Sequence, residues 1–230
     1  MMQAREDIAS RLSEVRDRVA VAARRARRES SSVQIVLASK TQPPEAIRAA
    51  HIAGARDFGE NYVQEAASKQ HALADIADLR WHLIGHLQTN KARQAAVSFT
   101  LIHSLDSPRL AAALSRARPV PPMPVLVEVN AAGEGSKSGV PPEDVERLID
   151  AVRGSVDVRG LMTVPPLAPA AEESRRYFSA LRELRERLAV ETGLALSELS
   201  MGMSDDFEVA IEEGATIVRI GRAVFGERAQ

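Results

Sequence analysis

From residue 33 onward the chain alternates between two hydrophobic periods. Short apolar, β-branched runs read as buried strands: VQIVLASK (33–40), ARDFGEN (55–61), RWHLIGH (80–86), TLIHSLD (100–106), PVLVEVN (124–130), VDVRGLMTV (156–164), ELSMGMS (198–204) and TIVRIG (216–221). The intervening segments predict helices over 44–53, 62–74, 90–98, 107–117, 141–153, 171–192 and 206–213. Several open with proline or an acidic first turn, as in SPRL (107–110) and PPEDVERL (141–148). Gly54, Gly193 and Gly214 stand where a helix C-terminus favours a left-handed residue. Ahead of the first strand, Ile8, Leu12, Val15 and Val19 recur at helical spacing within 3–28 and predict an amphipathic helix packed on the rest.

Eight strands alternating with helices predict an α/β fold, a parallel (β/α)8 TIM barrel with an extra N-terminal helix, at the short end of its size range. A doubly wound open sheet is the alternative, but no GxGxxG follows the first strand. No linker or break in composition divides the chain, so 1–230 reads as a single domain. The proline-rich PVPPMP (119–124) is short and reads as a loop.

Composition narrows the functional classes. Of 230 residues, 45% are apolar, and 30 basic residues stand against 31 acidic ones, so no global charge points to nucleic acid or an acidic membrane surface. Without cysteine, disulfides and thiol chemistry are excluded. No apolar stretch is long enough to span a membrane. The arginine-rich start (3–28) also carries Glu6, Asp7, Glu14 and Asp17, which transit peptides avoid. A cytoplasmic protein is expected, with Arg24, Arg25, Arg27 and Arg28 as a solvated helix end.

In such barrels the active site lies at the C-terminal ends of the strands. Chemically specific residues collect there: Lys40, Asn61, His86, Asn130, Met162, Ser204 and Gly221. A lysine closing a buried strand has a partly desolvated amine, which suits imine chemistry with an aldehyde or ketone. Read alone, it is a solvated surface charge. His86 stands in a polar loop with Gln88, Asn90 and Lys91 and reads as facing a ligand, against a hydrogen-bonded core histidine. The other histidines show no metal-ligand spacing with it, and no metal is expected. Asn61 could cap the following helix, bond a polar ligand, or do both.

The turn Gly202-Met203-Ser204-Asp205 and the pair Gly221-Arg222 follow strands seven and eight, where this fold recurrently cradles phosphate. The plain alternative is that Ser204 or Asp205 caps the 206–213 helix. Arg219, inside a buried strand, needs a partner. It reads as a structural ion pair or as a cationic donor to a ring nitrogen. The loop VNAAGEGSKSGV (129–140) reads as a flexible surface segment or as a lid, with Lys137 supplying charge.

Seven segments in order, LASKTQP (37–43), FGENYVQE (58–65), WHLIGHLQTNK (81–91), GEGSKSG (133–139), RGLMT (159–163), SMGMSDDFEVAI (200–211) and VRIGRAVFG (218–226), span nearly the whole chain. In them the chain resembles the pyridoxal 5′-phosphate homeostasis proteins, also called YggS-like or proline synthase co-transcribed homologues. These look like the barrel of bacterial alanine racemase, a fold-type III architecture, here without its C-terminal β-domain. The resemblance implies pyridoxal 5′-phosphate held covalently on Lys40 as an internal aldimine. It implies that Ser204, Gly221 and Arg222 bind the phosphate and that Arg219 faces the pyridine nitrogen. Asn61, His86 and Met162 would line the pocket. The chain departs from the family in ending FGERAQ where members often end FG-x-R-D-Y, and Arg222 stands where some carry a smaller residue.

An arginine at the pyridine nitrogen disfavours its protonation, and the ring becomes a weaker electron sink. Racemisation also needs a base on each face of the α-carbon. In alanine racemases the second is a tyrosine from the partner subunit's β-domain. Tyr62 and Tyr177 are the only tyrosines in this chain, and Tyr177 falls within the long sixth helix, away from the site. The resemblance therefore implies a carrier that buffers pyridoxal phosphate, takes part in vitamin B6 homeostasis, and has pyridoxal-phosphate-dependent apoenzymes as acceptors. The competing reading is an amino-acid racemase using Lys40, and a third is a cofactor-free Schiff-base aldolase. A monomer is expected, and a second cofactor site involving Lys137 stays open.

Overall fold

In a computed structural model the chain closes into a barrel of eight parallel strands in sequential order. The structure describes residues 2–118, 120–133, 138–166 and 169–226, the side chains of 2–4 excepted. The strands are β1 (Gln34–Ala38), β2 (Asp57–Glu60), β3 (Arg80–Leu83), β4 (Leu101–Leu105), β5 (Pro124–Glu128), β6 (Asp157–Met162), β7 (Glu198–Ser200) and β8 (Ile217–Ile220). The helices are α1 (Met2–Arg25), α2 (Pro44–Ile52), α3 (Val63–Ala72), α4 (Ala92–Ser98), α5 (Pro108–Ala117), α6 (Val145–Val152), α7 (Arg175–Thr192), α8 (Phe207–Glu212) and α9 (Arg222–Phe225).

All eight predicted strands are present, each shorter than its hydrophobic run. Tilting the strands to close a barrel leaves only a short central stretch of each paired on both sides. The surplus at the C-terminal ends becomes loop, so Lys40, Asn61, His86, Asn130, Ser204 and Gly221 all lie just beyond their strands, and Met162 closes β6. The 141–153 and 171–192 segments each begin as a 3-10 turn, and the four-residue α9 has no counterpart among the predicted helices. Ser107 caps α5 as its SPRL motif predicts, its hydroxyl accepting from Leu110 N–H at 3.4 Å. Gly54, Gly193 and Gly214 all have positive φ, as their C-cap positions require.

Two apolar clusters form. The larger fills the layer between strands and helices, with Phe58, Phe178, Phe207 and Ile47 fully buried. It extends to the N-terminal helix, whose stripe Ile8, Leu12, Val15, Val19, Ala22 and Ala23 is buried against the barrel. Burying each larger aliphatic side chain of this stripe stabilises by about 1.5–3 kcal/mol. The arginines at the end of α1 are not all solvated: Arg28 is half-buried and donates to Ile211 O at 3.1 Å, and Arg25 pairs with Glu212 at 3.7 Å. Both α8 groups are reached because α1 packs along α8.

The smaller cluster, Val36, Leu101, Leu126, Met162 and Ile217 with Ile84 against it, plugs the barrel interior. Gly59 belongs to this layer. A Cβ there would come within 2.8 Å of Ile84 Cδ1 and 3.1 Å of Val36 Cγ1.

Candidate functional site

Register sets which strand ends are neighbours. Val36 pairs with Arg219 and Leu37 with Ile220, so the β1 end that leads to Lys40 runs beside the β8 end that leads to Gly221. A Cβ on Gly221 would stand 3.4 Å from Ala38 O, two residues before the lysine. On the other side of β8, the loop after β7 brings in Ser204. Its hydroxyl accepts from Gly221 N–H and Ala223 N–H, each at 3.3 Å. The N-cap position of the helix that follows β7 is instead held by Asp206, which makes no side-chain cap bond; its carboxylate accepts from Met203 N–H, in the preceding turn, at 2.7 Å. The alternative reading of Ser204 or Asp205 as the cap of that helix is thereby corrected. The Ser204 hydroxyl is drawn across to the β8 loop because two amides there point at it.

Those amide–hydroxyl bonds are long for their type. A phosphate oxygen is a stronger acceptor, and the cradle of two N–H groups and one hydroxyl fits it. Gly202 makes the turn possible. It has φ +90°, and a Cβ would meet Ala210 Cβ at 2.5 Å. Arg222 turns its side chain to Asp205 on the rim. What this loop presents to the cradle is backbone, the amides of Gly221 and Ala223.

Arg219 is buried, and no carboxylate among the described residues bonds it. Nη1 donates to Ser200 O at 2.8 Å and Ser200 Oγ at 2.7 Å, and Nη2 donates to Thr163 O at 2.9 Å. The expected alternative of a structural ion pair is not what holds it. Burial pushes its pKa down to about 10, against the pull of Asp206 and Glu128, so it stays a cation. A buried cation held only by neutral acceptors can still favour an electron-rich ring atom.

Behind Arg219 runs a line of polar groups that the sequence reading passed over. Ser200 Oγ lies 2.8 Å from His103 Nδ1, His103 Nε2 lies 3.1 Å from His82 Nδ1, and His82 Nε2 lies 3.1 Å from Asp57 Oδ1. Asp57 is gripped by Arg80 through two bonds of 2.7 and 2.6 Å. Because β4 and β7 are not neighbours in the barrel, the His103–Ser200 bond crosses the interior. Burial, with His82 and Arg219 nearby, holds the His103 pKa well below the ordinary value, so the ring is neutral. One assignment gives every hydrogen an acceptor: Arg219 donates to Ser200, Ser200 to His103, His103 to His82, and His82 to Asp57. The signal in the sequence was polar residues at inward positions of otherwise apolar strands.

Asn61 does not cap α3. Tyr62 occupies that position, with no side-chain cap bond. Asn61 instead packs against the β3 end, where a Cβ on Gly85 would come within 2.6 Å of Asn61 O. It lines a polar groove of about 270 Å³ with Tyr62, His86, Gln88 and Lys91. The exposed His86 pairs through Nδ1 with Asp106 at 3.3 Å. Near that pair lies Glu128, whose Oε2 is buried without a hydrogen-bond partner among the described residues. Burial and Asp106 push its carboxyl upward, against His86 and Arg219. Met162 is 1% exposed and sits in the apolar plug, where it floors the mouth. The lid expected over 129–140 cannot be followed through, because residues 134–137, including Lys137, lie outside the described residues.

Comparison with known proteins agrees with this fold. The family model "Alanine racemase, N-terminal domain" matches residues 11–229. The chain is 48% identical over 225 residues to the pyridoxal phosphate homeostasis protein of Pseudomonas aeruginosa, covering 96% of each chain. To the protein of the same description in Aquifex aeolicus it is 49% identical over 222 residues, covering 95% of this chain and 97% of that one. Among solved structures it is similar to PipY of Synechococcus elongatus with PLP bound, at TM-score 0.83 and 39% identity over 95% of this chain and 100% of that one. Alanine racemase of Clostridium difficile shares the fold at TM-score 0.74 and 12% identity, with 98% of this chain matched to 58% of that one.

Proposed function

The chain belongs to the pyridoxal phosphate homeostasis family, and on that footing we propose that it binds pyridoxal 5′-phosphate covalently through Lys40 and buffers the cofactor for pyridoxal-phosphate-dependent apoenzymes. One observation carries the assignment of residues. The ends of β7, β8 and β1, three consecutive strands of the closed barrel, present a hydroxyl–amide cradle, a buried guanidinium and a lysine in that order. Ser204 and the backbone at Gly221 and Arg222 hold the phosphate. Arg219 faces the ring nitrogen and disfavours a proton there. Met162, from the apolar plug, and Asn61 and His86, from the groove, would line its pocket. When bound, the cofactor supplies an aldehyde for a lysine amine and a ring that can draw electrons from an attached amine.

The same residues argue against strong catalysis. A racemase needs a second acid/base group opposite the lysine. Tyr62 is 66% exposed at the start of α3, and Tyr177 lies on α7 with Arg176 stacked on its ring. Neither is built into the cradle. We further propose that the protein acts as a monomer in the cytoplasm.

The deciding experiment is an absorbance spectrum of the purified protein and of Lys40→Ala, before and after borohydride. A yellow protein that bleaches, with the added mass on Lys40, is the expected result. A protein left colourless by added pyridoxal phosphate would overturn the binding reading. Turnover of D- or L-amino acids by the loaded protein would overturn the carrier reading and leave the binding one intact.

A further inference from the structure

Outside the cradle, a buried group of charges flanks the backbone at Lys40. Lys69, on α3, is 6% exposed. Its ammonium donates all three of its hydrogens, each over 2.7 Å, to Ser39 O, Glu60 Oε1 and Glu65 Oε1. Ser39 returns a hydroxyl bond of 2.6 Å to the same Glu60 oxygen. Glu65 Oε1 accepts a second contact, from Thr41 N–H at 2.7 Å. The residue before Lys40 and the residue after it are therefore both tied to α3, one through its carbonyl and one through its amide.

The backbone between them is not at rest. Thr41 has φ +66°, a left-handed conformation that a β-branched residue rarely adopts. Such a conformation persists only where the surroundings over-determine it. Here the surroundings are Glu65 on the Thr41 amide and Lys69 on the Ser39 carbonyl. Glu65 also lies within electrostatic reach of Lys40. Burial would raise the Glu65 carboxyl, but the bonds from Lys69 and Thr41 and the charges of Lys69 and Lys40 hold it below its usual range. It stays an anion.

We propose that Glu65 and Lys69 are positioning residues for Lys40, a clamp from α3 that fixes the backbone on both sides of the lysine and so aims its amine into the barrel mouth. This rests on the assignment of Lys40 as the cofactor lysine. The clamp itself touches no cofactor. Its effect reaches the site through Ser39 and Thr41 alone.

The test compares Glu65→Ala, which removes the acceptor of the Thr41 amide and leaves Lys69 only Ser39 O and Glu60 Oε1, with Glu65→Gln, which keeps an oxygen in place. Two readouts are needed on each. One is the affinity for pyridoxal phosphate. The other is the rate at which Lys40 in the cofactor-free protein is acetylated by acetic anhydride, mapped by mass spectrometry. In E65A the affinity should fall about tenfold, the loss expected for a charge-assisted bond. Acetylation should quicken, because the amine loses its fixed direction. E65Q should keep near-wild-type values on both readouts. A role confined to general stability would not move the two in opposite directions, nor be rescued by glutamine.

Wild-type affinity and labelling in E65A would overturn the proposal. So would weaker binding with unchanged labelling, or E65Q failing alongside E65A. Lys69→Met gives an independent arm with the same expected directions, and wild-type values there count equally against the clamp. If borohydride fixes the cofactor on another lysine of the wild-type protein, the assignment of Lys40 fails on its own. The labelling comparison would still decide whether Glu65 holds Lys40.

Discussion

The two layers of this barrel are built by different physics. Between strands and helices the filling is mainly hydrocarbon, the group around Lys69 apart, with Phe58, Phe178 and Phe207 fully buried among leucines, valines and alanines. Inside the strands, a small apolar plug shares the space with His82, His103, Ser200 and Arg219. The outer layer is held by non-directional burial, which tolerates exchange of one apolar shape for another. The inner layer is held by directional bonds, where each donor needs its own acceptor and removing one partner strands the next. Stability should therefore reside mainly outside the strands, and ligand recognition mainly inside them.

The largest effect should come from breaking the outer layer. Phe58→Ala or Phe178→Ala deletes a ring that is 0% exposed. Each should cost about 3–5 kcal/mol in chemical denaturation. The molecules that stay folded should bind pyridoxal phosphate normally. A matching loss of affinity would show that the two layers are not separable.

The converse break is Arg219→Met. Replacing a buried cation by an apolar side chain of similar length relieves its desolvation, which offsets the stranding of Ser200 O and Thr163 O. Stability should move little. Affinity for the cofactor should drop by roughly 10- to 100-fold, the worth of one charge-assisted contact. A spectroscopic titration with pyridoxal phosphate, run beside a melting curve, separates the two quantities.

This division also explains what could be read from the sequence. Eight strands and the helices between them follow from periodicity, because the outer layer obeys it: α3 buries Val63 and Ala66, and α5 buries Leu110, Ala111 and Leu114. The residues at the strand ends were legible too, because a closed parallel barrel puts all of them on one face. The inner bonds were not. His82 and His103 look like accidents within RWHLIGH and TLIHSLD, and they acquire a role only when barrel closure sets β4 opposite β7. Lys69 carries no signal in the sequence, yet the pitch of α3 places it on the buried side with Val63 and Ala66. Ser204 was legible as a polar loop residue, but which helix it would serve depended on the β7–β8 neighbourhood.

The bottom of the inner layer offers a smaller test. Burial raises the Asp57 carboxyl, but its bonds to Arg80 and His82 outweigh this and bring it from the ordinary 3.8 to about 2. A depressed carboxyl contributes stability that is fully present above its unfolded value and lost as pH falls through its folded one. Denaturation midpoints should therefore decline from about pH 4 to pH 2, with roughly 2 kcal/mol attributable to this group. Asp57→Asn should flatten that limb. If the limb is unchanged, the anchor of the polar line is not the ionised pair seen here.

The smallest effect, and the most discriminating for the loop that carries Lys40, is expected from Thr41→Gly. Glycine removes the cost of a left-handed β-branched residue, about 1–2 kcal/mol, and loses about 0.5–1 kcal/mol through the greater freedom of the unfolded chain. The net change in stability should be within about 1 kcal/mol. If the shape of this loop is imposed from α3, the glycine variant should bind pyridoxal phosphate about as well as the parent, because Glu65 still holds the residue 41 amide and Lys69 the Ser39 carbonyl. The same glycine placed in a Glu65→Ala background should cost more than the two changes summed, since only the Lys69 bond to the Ser39 carbonyl would then hold the loop. A large loss of affinity from Thr41→Gly alone would move the constraint from the clamp to the threonine, and the loop would be self-supporting.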